Sequence, residues 1–300
     1  MTTPHSIVSG GTGLVGRFIV EALLTAGHRV TVLGRKAPPD GFFSEPVAFA
    51  PMKLDPISVS TGLFEGADFF IHAAFDHLPG KYRGGEGDDA EGFRRRNLDG
   101  SIALFQAART AGVSRVVFLS SRAVYGPCPP GMMLDESDVC RPDTLYGEVK
   151  LAAEDALTKL SGDGFHGVSL RVTGVYGPAG EGRLHKWAGL FEDFLSGREI
   201  APRVATEVHG QDVGTAVRLV LEQSAVRVSG KVFNVSDLVL DRRDILALVA
   251  RSTGSGNTLP DAGDASMVNA MSTKRLHALG WSPGGMPLLE KTVPDLLARP

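Results

Sequence analysis

Short apolar runs alternate with longer amphipathic segments over most of the chain, and this alternation restricts the fold more than any other feature of the sequence. The runs are rich in β-branched residues and predict strands at 6–9, 29–33, 47–54, 67–73, 115–119, 167–171 and 231–235. Segments with helical periodicity lie at 14–23, 92–111, 144–160, 184–195, 213–222 and 242–252. Strands that alternate with helices of this length form parallel sheets with crossover helices on both faces. The sequence therefore predicts an α/β fold with a doubly wound parallel sheet.

Size and composition limit the class of protein further. The chain has 300 residues, of which 43% are hydrophobic and 22% charged, as expected of a globular protein large enough for two lobes. Its formal net charge of −3 provides no field that attracts nucleic acid or an anionic membrane, so neither is an expected partner. The first strand is predicted to begin close to the N-terminus, and no apolar run approaches the roughly 18 residues that span a bilayer. We therefore expect a cytoplasmic protein whose two cysteines, Cys128 and Cys140, are reduced rather than joined in a disulfide or thiol switch.

A glycine-rich loop lies between the first predicted strand and the first predicted helix, with Gly10, Gly13 and Gly16 at its turning points. Small residues at this spacing allow a sharp turn, a close approach of the backbone to a pyrophosphate, and tight packing of the helix against the strand. The helix that starts at Leu14 and Val15 presents unpaired N–H groups and the positive end of its dipole to phosphates. A plain glycine turn is the alternative. The strand before the loop and the helix after it favour a dinucleotide site formed by these five residues.

The end of the second predicted strand indicates which dinucleotide binds. An acidic residue at this position would accept hydrogen bonds from the adenosine ribose hydroxyls. This chain instead has Gly34 followed by Arg35 and Lys36. Arg35 can hold a 2′-phosphate through two parallel hydrogen bonds, so the sequence favours NADP, with NAD as the alternative cofactor. In a third interpretation Arg35 only contacts solvent or stacks on the adenine.

A serine, a tyrosine and a lysine form the second candidate site. Ser121 follows the fifth predicted strand, and Tyr146 and Lys150 lie on one face of the next predicted helix. A phenol with a solution pKa near ~10 is a poor base at neutral pH, and a neighbouring ammonium lowers that pKa because it stabilises the phenolate. Tyr146 can then exchange a proton with a substrate hydroxyl or carbonyl while hydride moves to or from a nicotinamide. Ser121 stands at the sheet edge where parallel sheets bind ligands, and can hydrogen-bond the same oxygen.

Other polar residues supply weaker candidates. The histidines are scattered without the spacing of metal ligands, so no metal site is predicted. His77 and Arg83 fall in a charged, glycine-rich loop at 75–92, which either acts as a mobile lid over the substrate or is a solvated connection. Arg122 directly follows Ser121. We take His77 and Arg122 as candidate substrate contacts.

Together these motifs resemble the extended short-chain dehydrogenase/reductase superfamily, in particular its NAD-dependent epimerase/dehydratase branch. The likeness covers nearly the whole chain. Beyond the motifs already described, it includes Asp55, His72, Ala73, Ala74, Asn97, Gly100, Ser101, Val124, Tyr125, Gly126, Leu170, Arg171, Val175, Tyr176, Gly177, Pro178, Val208, His209, Asp212, Val213, Phe233, Asn234, Val235, Leu279, Gly280 and Trp281. The resemblance implies a Rossmann-like dinucleotide-binding domain at 1–177 and about 210–237. It also implies a smaller C-terminal substrate lobe, formed by 178–209 and 238–300.

The same resemblance implies roles for single residues. Ser121, Tyr146 and Lys150 would be the catalytic residues, and Lys150 would also hold the nicotinamide ribose. The other implied cofactor residues are Asp55 beside the adenine, and Ala73, Ala74 and Asn97. Family members often dimerise through the two helices that here contain Asn97 and Tyr146, so a homodimer is expected.

Three positions depart from the family pattern. Gly34 replaces the usual acidic residue, and Gly174 stands where many nucleotide-sugar enzymes have Asn. No Arg lies four residues before His209, where nucleotide-sugar enzymes often bind a phosphate, so Arg203 is the nearest candidate for that substrate contact. The sequence therefore leaves a nucleotide sugar and a smaller sugar-like or hydroxy-carbonyl compound open as substrates.

We predict an NAD(P)-dependent oxidoreductase or epimerase that transfers hydride between nicotinamide and such a small-molecule substrate. One alternative is a nucleotide-sugar epimerase or dehydratase proper, which uses the same residues. The alternative from another class is a dinucleotide-sensing regulatory protein that binds the cofactor without chemistry. Regulators of that kind tend to lose the tyrosine or the lysine, whereas this chain has both Tyr146 and Lys150.

Overall fold

A computed structural model of the chain describes residues 3–78, 84–180 and 182–298. The strands of its central sheet are β1 (His5–Ser9), β2 (Arg29–Gly34), β3 (Ala48–Pro51), β4 (Phe69–His72), β5 (Arg115–Ser121), β6 (His166–Val172) and β9 (Lys231–Val235). All neighbours in this sheet are parallel, in the order β3-β2-β1-β4-β5-β6-β9. The chain builds outward from β1 to β3 and then returns to β4 on the other side of β1, and this reversal opens a crevice at the carboxyl edge of the sheet. The predicted doubly wound parallel sheet is confirmed.

Helices cover both faces of this sheet. Their bounds are α1 (Leu14–Thr25), α2 (Ala90–Arg94), α3 (Gly100–Thr110), α4 (Leu145–Leu160), α5 (Ala188–Leu195), α6 (Gly210–Glu222), α7 (Ala225–Val228), α8 (Arg242–Thr253), α9 (Lys274–His277) and α10 (Gly285–Ala298). On one face, α1 and α6 share a buried core with Val117, and on the other face α3 and α4 share a core with Val116. Successive strand residues point to opposite faces, so burial on both faces explains why the strands are apolar throughout. Within the described ranges, no helix is both long and apolar enough to cross a membrane.

A second, smaller sheet lies beyond the carboxyl end of β6. It consists of β7 (Gly174–Tyr176), β8 (Val204–His209) and β10 (Leu238–Asp241), in the order β10-β8-β7. A separate buried core that includes Trp187, Phe194 and Leu246 joins this sheet to α5, α8 and α10. The chain returns to the central sheet at β9, as expected. The division into two lobes at the predicted bounds stays a prediction.

Several elements differ from the sequence prediction. The helix expected at 92–111 is divided by a π-helical turn at Arg95–Asp99. The strand expected at 47–54 is only four residues long and forms the edge of the sheet. β7 and β10, which are three and four residues long, were not predicted. α10 was not predicted either, and it contains Pro294, a residue that disfavours helix interiors.

Candidate active site

A cleft of about 1300 Å³ opens at the carboxyl edge of the central sheet and extends to the small sheet. The predicted site residues that line it are Gly10, Gly13, Leu14, Val15, Gly16, Arg35, Asp55, Ala73, Ala74, His77, Ser121, Arg122, Tyr146, Lys150 and Arg203. Residues far apart in the sequence therefore meet in one cleft, and their individual roles stay predictions. Among the described residues, no group of three or more His, Cys, Asp or Glu side chains is arranged to hold a metal ion.

The glycine loop packs so closely that two of its residues have no room for a side chain. A Cβ at Gly16 would lie 2.1 Å from the carbonyl oxygen of Gly10, and a Cβ at Gly10 would lie 2.7 Å from the backbone nitrogen of Ala74. Gly10 also has a φ of 71°, in the left-handed region that favours glycine. At the start of α1, the N–H groups of Leu14 and Val15 have no acceptor among the described residues, and the first turn of this helix has no acidic side chain. This helix start fits the pyrophosphate of a dinucleotide.

β5 and α4 bring the predicted catalytic residues to the middle of the cleft. Ser121 is the last residue of β5. Thr144 caps α4 by accepting a hydrogen bond of 3.1 Å from a backbone N–H of the first turn, which places Tyr146 and Lys150 in the opening turns of the helix. The half-buried Tyr146 ring meets the Phe75 ring edge-on, with 4.9 Å between centroids. The structure therefore brings the serine, the tyrosine and the lysine to the same cleft wall.

The ammonium group of Lys150 is buried against the sheet. Its Nζ donates to the carbonyl of Leu119 at 2.6 Å and lies 4.7 Å from the centroid of the Phe118 ring. The distance from Nζ to the centroid of the Tyr146 ring is 5.9 Å. Burial lowers the pKa of Lys150 to about 7, and the nearby charge of Glu154 opposes this shift. The lysine is therefore close enough for its charge to act on the phenol.

A buried ion pair lies behind Lys150. Glu154, one turn further along α4, pairs with Arg171 of β6 at 2.8 Å, and the two side chains are 3% and 6% exposed. Ser120 also donates a hydrogen bond to Glu154, and the guanidinium of Arg171 lies 4.8 Å from the centroid of the Tyr125 ring. The carboxylate therefore has two hydrogen-bonding partners in the interior next to the lysine.

Charged side chains gather at the end of the cleft near β2. Arg35 is 78% exposed, and its Nη1 lies 3.7 Å from the carboxylate of Asp76. Arg96 holds the other oxygen of the same carboxylate at 2.7 Å, and Asp55 pairs with Arg95 at 3.1 Å. The guanidinium of Arg35 therefore lies where a contact with a 2′-phosphate was predicted, and the carboxylate of Asp76 lies beside it. Sequence reasoning missed Asp76 because it follows β4 and approaches Arg35 only in the folded sheet.

Asn97 does not line the cleft but holds the chain segment that borders it. Its side-chain Nδ2 donates to the carbonyl of Asp76 at 2.8 Å, and its Oδ1 accepts from the Asp76 N–H at 2.7 Å. Nearby, the ring nitrogens of His72 lie 2.6 Å and 2.8 Å from the hydroxyls of Ser9 and Ser101. Burial lowers the pKa of His72 to about 3, so this histidine is a neutral link between β1, β4 and α3. The predicted contact of Asn97 with a cofactor stays untested, and the contacts in the structure are those of a positioning residue.

The candidate substrate residues His77, Arg122 and Arg203 also line the cleft. The Nη2 of Arg122 donates to the carbonyl of Asn269 at 3.1 Å, which joins this side chain to the opposite wall of the cleft. Arg203 is exposed just before β8, and His77, in the first part of the loop predicted as a lid, lines the cleft. Arg83 and the middle of that loop lie outside the described residues.

Two further residues that line the cleft were not predicted. Lys186, in the turn before α5, and Glu207, in β8, form an ion pair of 2.5 Å. Burial raises the pKa of Glu207, and the neighbouring lysine opposes the shift. One feature of the sequence could have indicated Glu207, since it is an acidic residue inside a strand. A buried carboxylate is rare unless it has a partner or a function.

The sequence of this chain is similar to one protein family and to individual enzymes of known activity. Residues 6–236 match the model of the NAD dependent epimerase/dehydratase family. A dTDP-6-deoxy-L-talose 4-dehydrogenase (NAD(P)(+)) from Kitasatospora kifunensis is 32% identical over 213 residues, which span 68% of this chain and 64% of that protein. A UDP-glucose 4-epimerase from Corynebacterium glutamicum is 28% identical over 319 aligned positions, which span 92% of this chain and 90% of the epimerase.

The solved structures extend the likeness to the fold. MoeE5 in complex with UDP-glucuronic acid and NAD has a TM-score of 0.78 and 25% identity, with 98% of this chain and 99% of that chain covered. The Rossmann-like sheet and the family predicted from the sequence are thus confirmed. This chain belongs to the NAD dependent epimerase/dehydratase family and is an enzyme of the extended short-chain dehydrogenase/reductase type.

Proposed function

We propose that this enzyme moves a hydride between a nicotinamide and a carbinol or carbonyl carbon of a sugar, with Tyr146 as the acid–base residue. The observation that carries the proposal is that Tyr146, Lys150 and Ser121 line the same cleft as the glycine loop. The unpaired N–H groups at the start of α1 would hold the pyrophosphate, and Lys150 the nicotinamide ribose. Membership of an NAD-dependent family supports this chemistry.

The residues of the cleft supply the proton and orient the substrate. When bound, the nicotinamide provides the hydride donor or acceptor. Tyr146 gives its phenolic proton to the carbonyl oxygen during reduction and removes the hydroxyl proton in the opposite direction. Lys150 favours the phenolate through its positive charge. Ser121 donates its Oγ–H to the carbonyl oxygen and keeps that oxygen directed at the tyrosine.

A nucleotide-linked hexose is the substrate class that the relatives support best. The relatives named above are a dTDP-sugar dehydrogenase and a UDP-glucose epimerase, and MoeE5 was solved with a UDP-sugar. The presence of Arg122, Lys186 and Arg203 in the cleft supports a ligand rich in phosphate or hydroxyl oxygens. A dehydrogenase and an epimerase would use the same residues and differ in whether the reduced cofactor leaves or returns its hydride to the same sugar. Product stereochemistry, measured together with nicotinamide absorbance, separates the two.

The substitution Tyr146→Phe tests the acid–base assignment. We expect turnover of a UDP-hexose to fall by about 10²–10⁴-fold, while dinucleotide affinity changes little, because only the proton-transfer group is lost. Tyr125→Phe is the matched control, since it removes a hydroxyl that donates to Asn234 outside the cleft. Near-normal turnover by Tyr146→Phe would refute the assignment. A wild-type protein that bound dinucleotides and turned over no carbonyl or hydroxy compound would instead favour the regulatory alternative.

Four finer statements complete the proposal. Arg35 would give NADP an advantage over NAD, through the contact with the 2′-phosphate described above. The helical segment at 92–111 that contains Asn97, together with α4, would form a homodimer interface, which light scattering of the purified protein tests. Residues 1–177 with about 210–237 would act as the dinucleotide lobe, and 178–209 with 238–300 as the substrate lobe. The protein would reside in the cytoplasm, as expected from the sequence.

A further inference from the structure

The ion pair between Lys186 and Glu207 occupies a space that exists because residue 174 is glycine. A Cβ at Gly174 would lie 2.5 Å from the Nζ of Lys186 and 2.7 Å from Oε2 of Glu207. The backbone of Gly174 lies outside the left-handed region, so the glycine provides room rather than an unusual conformation. Any side chain at this position would displace the ion pair.

The pair lies beside the proposed catalytic residues. In the central sheet Ser121 is the partner of Val172, and two residues further along, at Gly174, the chain pairs with Glu207 in the small sheet. Two residues of extended chain cover about 7 Å. Ser121, Gly174, Lys186 and Glu207 all line the same cleft. One hexose held at Ser121 would therefore lie within reach of the ion pair.

The two charges are not equally exposed to the cleft. The side chain of Glu207 is 6% exposed, and that of Lys186 is 33% exposed. The Nζ of Lys186 donates to Oε1 at 2.6 Å and to Oε2 at 2.5 Å, and has no other acceptor among the described residues. An ammonium has three N–H donors. Lys186 therefore keeps a donor for a ligand, with the carboxylate behind it.

The balance of charge determines which ligand group suits this donor. A lone ammonium attracts carboxylates and phosphates, whereas one neutralised by a carboxylate at contact distance keeps its hydrogen bond but loses most of its long-range attraction. An anionic ligand group at this point would also lie close to Glu207, and like charges at short distance are disfavoured. We propose that Lys186 donates a hydrogen bond to an uncharged sugar hydroxyl, and that Glu207 selects against a sugar with a carboxylate at that point. This inference rests on the proposed function, because it takes the substrate to be a nucleotide-linked hexose.

The test is calorimetric titration of the dinucleotide-saturated enzyme with UDP-glucose, UDP-glucuronic acid and UDP alone. The wild type should bind UDP-glucose more tightly than UDP-glucuronic acid. Glu207→Gln keeps the size of the side chain and an oxygen for Lys186 but removes the negative charge, so the affinity ratio should shift about tenfold or more towards UDP-glucuronic acid. Lys186→Met should weaken UDP-glucose about tenfold and leave UDP unchanged, because only the sugar loses its donor. A purely structural ion pair would not change the preference between the two sugars.

Two further variants serve as controls. Asp193→Asn breaks the ion pair with Arg198, which lies outside the cleft, and should leave the affinity ratio unchanged. Gly174→Ala disturbs the pair without removing either charge and should also weaken UDP-glucose relative to UDP, which keeps the proposal testable if Glu207→Gln fails to fold. An unchanged ratio in a folded Glu207→Gln would overturn the subsite and leave the proposed function standing. Failure of the wild type to bind either UDP-sugar, with dinucleotide binding intact, would overturn both the substrate class and the subsite.

Discussion

At the scale of single residues, the carboxylate of Asp76 competes with any phosphate for binding to Arg35. The carboxylate of Asp76 lies 3.7 Å from its Nη1, and Arg96 holds the same carboxylate at 2.7 Å. An exposed ion pair of this kind contributes roughly 0–1 kcal/mol, less than a bidentate contact between arginine and phosphate. A 2′-phosphate can therefore displace Asp76 from Arg35, but it is repelled by the same carboxylate.

Substitutions of Arg35 and of Asp76 should change the affinity for NADP⁺ in opposite directions. Arg35→Ala should lower NADP⁺ affinity about tenfold with little effect on NAD⁺, because only NADP⁺ has the 2′-phosphate. Asp76→Asn should raise NADP⁺ affinity more than NAD⁺ affinity by removing the repulsion. Calorimetric titration of each variant with both cofactors measures these effects, with Arg94→Ala as the control because its ion pair with Glu148 lies outside the cleft. Tighter binding of NAD⁺ than NADP⁺ by the wild type would show that the predicted preference is wrong.

At the scale of elements, the π-helical turn between α2 and α3 positions the border of the cleft. The turn carries Asn97, whose side chain bonds to both the N–H and the carbonyl of Asp76 and donates at 3.1 Å to the carbonyl of Phe93. A π turn interrupts an α-helix for a single turn while the chain stays helical on both sides, so periodicity averaged over the segment predicted one continuous helix here. The turn directs Asn97 at the segment after β4.

Loss of the hydrogen bonds between Asn97 and the Asp76 backbone should lower both the unfolding free energy and the affinity for dinucleotides. Asn97→Ala leaves the Asp76 backbone without its side-chain partners, so we expect a loss of about 1–3 kcal/mol in unfolding free energy. We also expect weaker binding of both dinucleotides, because the segment that carries Asp76 would lose its anchor. Asn257→Ala is the matched control, since Asn257 likewise donates to two carbonyls, those of Phe194 and Leu195, but lies outside the cleft. Equal dinucleotide affinity for wild type and Asn97→Ala would argue against this positioning role.

At the scale of the whole molecule, buried carboxylates attach the C-terminal segment to the rest of the chain. Asp212 accepts a hydrogen bond from the N–H of Gly284 at 3.1 Å, and Asp237 accepts one from Gly285 at 2.9 Å. The indole N–H of Trp281 donates to the carbonyl of Asp212 at 3.0 Å. Burial, opposed by the hydrogen bond from Gly284 and assisted by the charge of Asp237, raises the pKa of Asp212 to about 6. Stability should therefore depend on the ionisation of this carboxyl.

The direction of that dependence follows from the sign of the shift. Because the pKa of Asp212 rises from 3.8 to about 6, the folded protein binds more protons than the unfolded chain in this window, and the unfolding free energy falls as the pH rises through it. Asp212→Asn stays neutral and keeps an oxygen for Gly284, so the wild type should lose about 2 kcal/mol more than this variant between about pH 4 and about pH 6. Denaturant unfolding at a series of pH values measures the difference. Asp295→Asn, at an exposed position on α10, is the control. Parallel pH curves for the wild type and Asp212→Asn would contradict the prediction.

The features that the sequence alone determined are local ones. The glycine loop and the spacing of Tyr146 and Lys150 depend on residues within a few positions of one another, and alternation between strands and helices is enough to predict the doubly wound sheet. Only the tertiary structure decided which distant charges meet. Asp76 reaches Arg35, and Lys186 reaches Glu207 across 21 positions, because the order of the strands brings their loops to one edge. No local pattern encodes such contacts, since they depend on how the sheets are assembled rather than on the residues between them.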